Sequence, residues 1–304
     1  DKATLITFLE FFKDAKTFGS LLRIPERFTA SLPSLQKLID PTKGRDLAGH
    51  TAAEELRPFV VQASILATKY DNVVANPPYM GTKGMNQVLK DFAKANFSDT
   101  KSDLFAMFID HGFNLCKPET GFNGMVTMQS WMFLSSYEEF RSRTLAEKSL
   151  LCMVHMANGV MGIAFGTAAT VFLSKHIPCV NGSFSYVDFC DINEDNKPRE
   201  FPVKNDRLKE AKPDDFKKIP GAPVAYWISA CMREVFERGT SLSNFAIVRN
   251  GMKTGDNDRF LRLWWEVGYC KVAIRTKNFI EAQQSKAKWF PYNKGGGYRK
   301  WYGN

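Results

Sequence analysis

The chain has 304 residues, 44% of them hydrophobic and 24% charged, with 25 Phe. That composition excludes a disordered or fibrous chain and leaves room for two domains, while the lack of any run of eighteen apolar residues excludes a membrane-spanning helix. The formal net charge of +9 favours a polyanionic partner, nucleic acid first.

In chain order, the first clear periodicity runs from Thr51 to Tyr70. Leu56, Phe59, Val60, Ala63, Leu66, Ala67 and Tyr70 fall at helical spacing. Thr51 and Glu54 have the form of a capping box, and Pro58 predicts a kink or restart. Asp71 and Asn72 break the pattern. The apolar run Val73–Ala75 reads as a short buried strand, followed at once by Asn76-Pro77-Pro78-Tyr79. Ser102 reads as an N-cap, with Asp103 favouring the start of a helix whose apolar face is Leu104, Phe105, Phe108, Ile109, Phe113 and Cys116. Pro118 stops it. Met125–Met128 reads as a strand, Tyr137–Glu147 as a helix, and Leu150–Met156, Ala169–Ser174 and Phe184–Phe189 as further strands.

Strands alternating with helices predict an α/β fold with a doubly wound, mostly parallel sheet, in which ligands bind beyond the carboxyl ends of strands. Residues 76–79 occupy such a place. We expect a catalytic domain over 1–190 and a charged, Pro-containing linker or surface connection over 191–220. A second unit should begin at 221 and run to 304. Near its end Lys286, Lys288, Lys294, Arg299 and Lys300 interleave with Trp289, Tyr292, Tyr298 and Trp301.

The cysteines, Cys116, Cys152, Cys179, Cys190, Cys231 and Cys270, form no C-x-x-C pair. They read as buried thiols of a cytoplasmic protein, and the scattered histidines give no metal site.

The loop at 76–79 carries the chemistry. An aromatic exocyclic amine is a poor nucleophile, because its lone pair is delocalised into the ring. Acceptors that bind both amine hydrogens can aim that lone pair at a methyl donor. The Asn76 side-chain oxygen and the Pro77 carbonyl suit this, since Pro77 and Pro78 each fix φ and Pro77 keeps Asn76 extended. Tyr79 offers a flat face to a base flipped out of a duplex. By chance this tetrad is expected in about one in a thousand chains of this length.

Asn76-Pro77-Pro78-Tyr79 resembles the catalytic motif of S-adenosylmethionine-dependent amino-methyltransferases. The stretches Tyr70 to Asn86, Lys101 to Phe108 and Met125 to Leu134 resemble the PglX adenine-specific DNA methyltransferases of BREX phage-defence systems. Gly251 to Phe260 resembles the segment that opens their target-recognition region. The resemblance implies a fold like that of class I S-adenosylmethionine-dependent methyltransferases, with the second unit as the start of a target-recognition domain. It implies S-adenosyl-L-methionine as cofactor, double-stranded DNA as substrate and phage-defence proteins as further partners. Asn76, Pro77, Pro78 and Tyr79 would be catalytic. Phe165, ahead of the Thr-rich strand, would flank the flipped base with Tyr79. Gly19, Ser20 and Asn76 would touch the cofactor, although relatives often carry an acidic residue where Ser20 stands. Lys253, Arg259, Lys294, Arg299 and Lys300 would bind DNA.

One departure is an absence. No glycine-rich cofactor loop precedes residue 76, and the only glycine cluster is Gly295–Gly297. We therefore expect the chain to begin downstream of that loop. The alternatives left open are methylation of protein glutamine or ribosomal RNA, and a non-catalytic DNA-binding module.

Overall fold

The computed structural model describes residues 2–40, 46–200, 206–247 and 253–292. Four helices precede the first strand: α1 (Lys2–Phe11), α2 (Ala15–Phe18), α3 (Glu26–Leu38) and α4 (Leu47–Ala67). Phe8, Phe12, Phe28, Leu32, Leu35, Val60 and Ala63 bury a common apolar cluster between them. Each large side chain buried there stabilises by about 1.5–3 kcal/mol. The cap of α4 is Asp46, whose carboxylate accepts from the Gly49 backbone at 2.8 Å, rather than Thr51. The Thr51 hydroxyl instead donates to the Leu47 carbonyl inside the first turn. The helix also runs through Pro58 as one element. Leu56, Val60 and Ala63 are buried on either side of the proline, and that packing overrides the local cost.

The sheet has six strands in the order β1-β2-β4-β3-β5-β6. They are β1 (Asn72–Ala75), β2 (Phe122–Met128), β3 (Ser149–Met156), β4 (Thr167–Leu173), β5 (Gly182–Val187) and β6 (Leu208–Ala211). Helices α5 (Gln87–Asn96) and α6 (Leu104–Leu115) join β1 to β2, and α7 (Glu138–Glu147) lies between β2 and β3. The α/β class expected from sequence holds: four of the six strands run in one direction, and β4 and β6 are reversed. β1 pairs with β2, and β3 with β5, in parallel. β4 runs antiparallel to both β2 and β3, and β6 antiparallel to β5. The connection from β3 to β4, residues 157–166, is too short for the crossover that parallel neighbours require.

Four strands therefore end at one edge of the sheet, and β4 begins there. That places the residues after β1, those after β2 and those just before β4 side by side. One face packs on α6 and α7 through Phe105, Ile109, Met125, Phe140, Leu150 and Phe172. On the other face Val74 of the edge strand β1 is 81% exposed.

Three further expectations need correction. The segment 191–220 is more than a linker or surface connection: it contains β6, Ala211 and Phe216 within it belong to the central core, and so do Ala222, Val224 and Tyr226 just after it. Buried Arg141 holds this segment in place, donating to the carbonyls of Gly221 (2.6 Å), Trp131 (2.9 Å) and Leu134 (2.6 Å). The compact units divide between Thr240 and Ser241, not at 221. Helix α8 (Ala230–Arg238) closes the first unit, and the second contains α9 (Asn257–Phe260) and α10 (Phe279–Gln284). Of the cysteines only Cys116 is buried, the other five being exposed; Cys152 lies on β3 but on the face turned away from the core.

Candidate active site

Strand β1 ends at Ala75, in register with Met125 of β2, so Asn76 emerges at the carboxyl edge. Asn76 is exposed and Pro77 buried. The Tyr79 hydroxyl lies 3.2 Å from Asn76 Oδ1 and 3.1 Å from the Val126 carbonyl oxygen, two acceptors for its one proton. A carboxamide oxygen has two lone pairs. One faces Tyr79, and the other stays free for an incoming N–H. Burial raises the Tyr79 pKa, which keeps the hydroxyl a donor.

The Tyr79 ring is held edge-on by Phe105 at 6.2 Å and by Phe165 at 5.6 Å. Phe165 is 38% exposed, and its place just before β4 brings it to this edge. The structure thus brings together Asn76, Pro77, Pro78, Tyr79 and Phe165.

Gly19–Leu21 forms a single 3-10 turn packed against α6. Gly19 has φ of +55° and open space where a Cβ would stand, a conformation suited to glycine. Among the described residues, no hydrogen bond or ring contact joins Gly19 or Ser20 to Asn76. The exposed Asn76 side chain beside β1 suits an amine donor.

Of the basic residues, Lys253 and Arg259 are exposed in the second unit, and the Arg259 guanidinium sits 5.0 Å from the Phe260 ring centre. In the same unit Arg262 and Lys288 both lie over the Trp289 ring. Lys294, Arg299 and Lys300 fall outside the described residues. Among the described residues no group of His, Cys, Asp or Glu is arranged to hold a metal ion, and no helix is long and apolar enough to cross a membrane.

Sequence reasoning misses the part played by Asp103. The pattern makes it an aid to a cap at Ser102, but it is itself the cap of α6, accepting from Phe105 at 3.3 Å. The same oxygen accepts from the Met80 backbone at 2.9 Å, and the Leu104 backbone donates to the Met80 carbonyl at 3.1 Å. The start of α6 thus anchors the residue after Tyr79. Burial raises the Asp103 pKa against three backbone donors that lower it.

An asparagine and a tyrosine thus stand together on a proline-stiffened loop at the carboxyl edge of an α/β sheet. Residues 7–161, just over half of the chain, match the Eco57I restriction-modification methylase family, and the chain belongs to that family. It is 42% identical over 308 residues to the adenine-specific methyltransferase BrxX of Escherichia coli O9:H4 (strain HS), covering 99% of this chain and 24% of that protein. It is 33% identical over 323 residues to the adenine-specific methyltransferase PglX of Lacticaseibacillus casei (strain Zhang), covering 100% of this chain and 26% of that protein. The chain thus spans about a quarter of the length of these curated relatives. Among solved structures, it is similar to a type I restriction-modification methyltransferase subunit from Streptococcus thermophilus. That match has a TM-score of 0.40 and 16% identity, covering 52% of this chain and 38% of the other.

Proposed function

We propose that this chain supplies the target-binding part of a cytoplasmic DNA methyltransferase. The enzyme transfers a methyl group to the exocyclic amine of an adenine flipped out of duplex DNA, in phage defence or restriction–modification. The observation that carries this reading is the Asn76–Tyr79–Phe165 cluster. An exposed amide oxygen, fixed by a tyrosine hydroxyl, stands beside a ring that is itself braced by a second, half-exposed ring. In this reading one amine hydrogen donates to Asn76 Oδ1 and the other to the Pro77 carbonyl. The amine lone pair is then directed away from the base plane. Tyr79 and Phe165 hold the ring by stacking and edge packing, in place of the neighbouring bases it leaves behind in the duplex. S-adenosylmethionine, which the family implies, supplies the methyl group when bound.

Both relatives are adenine-specific methyltransferases, which favours adenine over a protein glutamine or a ribosomal guanine. Lys253, Arg259, Lys294, Arg299 and Lys300 would contact DNA phosphates, and phage-defence proteins would be further partners.

The test is Asn76→Ala in the full-length protein. Transfer of tritiated methyl groups to unmethylated bacterial genomic DNA should fall to background, while retention of that DNA on a filter changes less than about twofold, because Asn76 addresses the amine and not the phosphates. Unchanged turnover would remove Asn76 from the reaction.

A further inference from the structure

Gln129 follows β2 directly and Phe165 precedes β4 by two residues. They meet because these two strands are antiparallel neighbours, with Met128 opposite Thr167. The Gln129 backbone donates to the Gly166 carbonyl at 3.1 Å. Its side chain also presses on Gly166 so closely that a Cβ there would lie 2.4 Å from the amide. No other residue type fits at 166 while Gln129 stays in place. Gln129 therefore grips, through main chain and side chain, the residue next to Phe165.

Gln129 is itself held. His155 Nε2 lies 2.5 Å from Gln129 Oε1, and His155 Nδ1 lies 3.1 Å from the Tyr226 hydroxyl. An amide oxygen only accepts, so Nε2 carries the proton, Nδ1 accepts, and Tyr226 donates to it. Burial draws the imidazole pKa down to about 4, which keeps this tautomer neutral. His155 and Tyr226 are both buried, and Tyr226 stacks on Phe184 at 5.0 Å. The chain of contacts runs from the core to an exposed ring: Phe184, Tyr226, His155, Gln129, Gly166 and Phe165.

We propose that His155 and Gln129 form a positioning pair that fixes Phe165 beside Tyr79 and so sets the width of the slot that receives the flipped base. This rests on the base-binding reading of Tyr79 and Phe165 given above. Phe165 is half-exposed and needs such a hold, because a ring on a loop otherwise samples several rotamers and presents the right edge only part of the time.

The experiment replaces Phe165 by 4-fluorophenylalanine in the full-length protein and records its fluorine NMR signal without DNA. A single sharp resonance is expected. Gln129→Ala should broaden or split it, and Gln129→Glu, which keeps an acceptor for His155, should restore it. If Gln129→Ala fails to fold by circular dichroism, Tyr226→Phe removes only the hydroxyl and should give the same broadening to a smaller degree. A resonance unmoved by Gln129→Ala, or by Tyr226→Phe where that variant stands in, overturns the proposal.

Kinetics on unmethylated genomic DNA separate it from the reading beneath it. Gln129→Ala should lower kcat about tenfold, short of the roughly hundredfold cost of a full 1 Å misplacement, with KM changed less than about twofold. In a Phe165→Ala background the same substitution should cost less than about twofold more, since residues acting through one another are not additive. A full tenfold cost in that background overturns the pair's action through Phe165. Wild-type kcat for Phe165→Ala alone would sink the base-stacking role, whatever the fluorine spectrum shows.

Discussion

The Tyr79 hydroxyl sits 3.2 Å from the side-chain oxygen of Asn76, so on the proposed reading one residue offers a ring to the base and also orients the acceptor for its amine. The two roles separate by substitution. Tyr79→Phe keeps the ring and removes one hydrogen bond of about 0.5–1.5 kcal/mol, so methyl transfer should fall about two- to tenfold. Tyr79→Ala also removes stacking of about 1–3 kcal/mol and should fall much further. Equal effects of both variants, measured as kcat/KM on genomic DNA, would assign the whole effect to the hydroxyl.

Asp103 couples the loop to α6 through Met80. Asp103→Ala removes a helix cap and should lower stability by about 1–2 kcal/mol, read as a shift in the urea midpoint. It should also lower kcat, because the residue after Tyr79 is no longer anchored. Asp103→Asn keeps an acceptor oxygen and should restore most of both. An Asn variant as damaged as Ala would show that the carboxylate charge matters rather than the cap.

Acid should weaken the first unit over a definite window. Burial draws His155 down to about 4, and burial with repulsion from Arg23 draws His111 to about 4. In the unfolded chain both rings take a proton near 6.5. Between those values the unfolded state binds more protons, so stability falls as pH drops from 6.5 and levels off below about 4. Each ring contributes on the order of 3 kcal/mol across that span. The carboxylates held low by partners, Asp71, Asp191 and Asp214, act mainly below about 4. Urea midpoints at pH 7 and 4.5 measure the fall, and His111→Phe should reduce it.

The second unit supplies the phosphate test. Lys253→Glu and Arg259→Glu should weaken binding to unrelated duplexes by similar factors. For every phosphate that a variant no longer neutralises, the dependence of log affinity on log salt should flatten by about 1. A weakening confined to one DNA sequence would instead mark these side chains as readers of bases.

The loop was legible because its chemistry is local: four consecutive residues after a short β-branched strand. Phe165 was singled out only through the family resemblance, as an aromatic ahead of a Thr-rich strand. The reversal of β4 could have been read from the ten residues between β3 and β4, which leave no room for a crossover. What stayed hidden was tertiary. Nothing near Asp103 announces Met80, and nothing near His155 announces Tyr226, since each pair meets only once the sheet has formed. Strand β6 escaped because an edge strand with Lys209 and Glu210 exposed carries little apolar signal. The charged, Pro-containing stretch around it then reads as a linker.

Arg141 gives that misplaced boundary a practical meaning. Its guanidinium is buried with backbone carbonyls as its hydrogen-bond acceptors, and Gly221 supplies the one that both Nε and Nη2 reach. Hydrogen bonds from a charged group are worth about 1.5–3 kcal/mol each, and leaving such a group unpaired costs more. Splicing in another second unit at residue 221 would cut through the first unit's own interior. A splice between Thr240 and Ser241 leaves that interior whole, so on the proposed reading of the second unit as a DNA reader its exchange has its natural joint there.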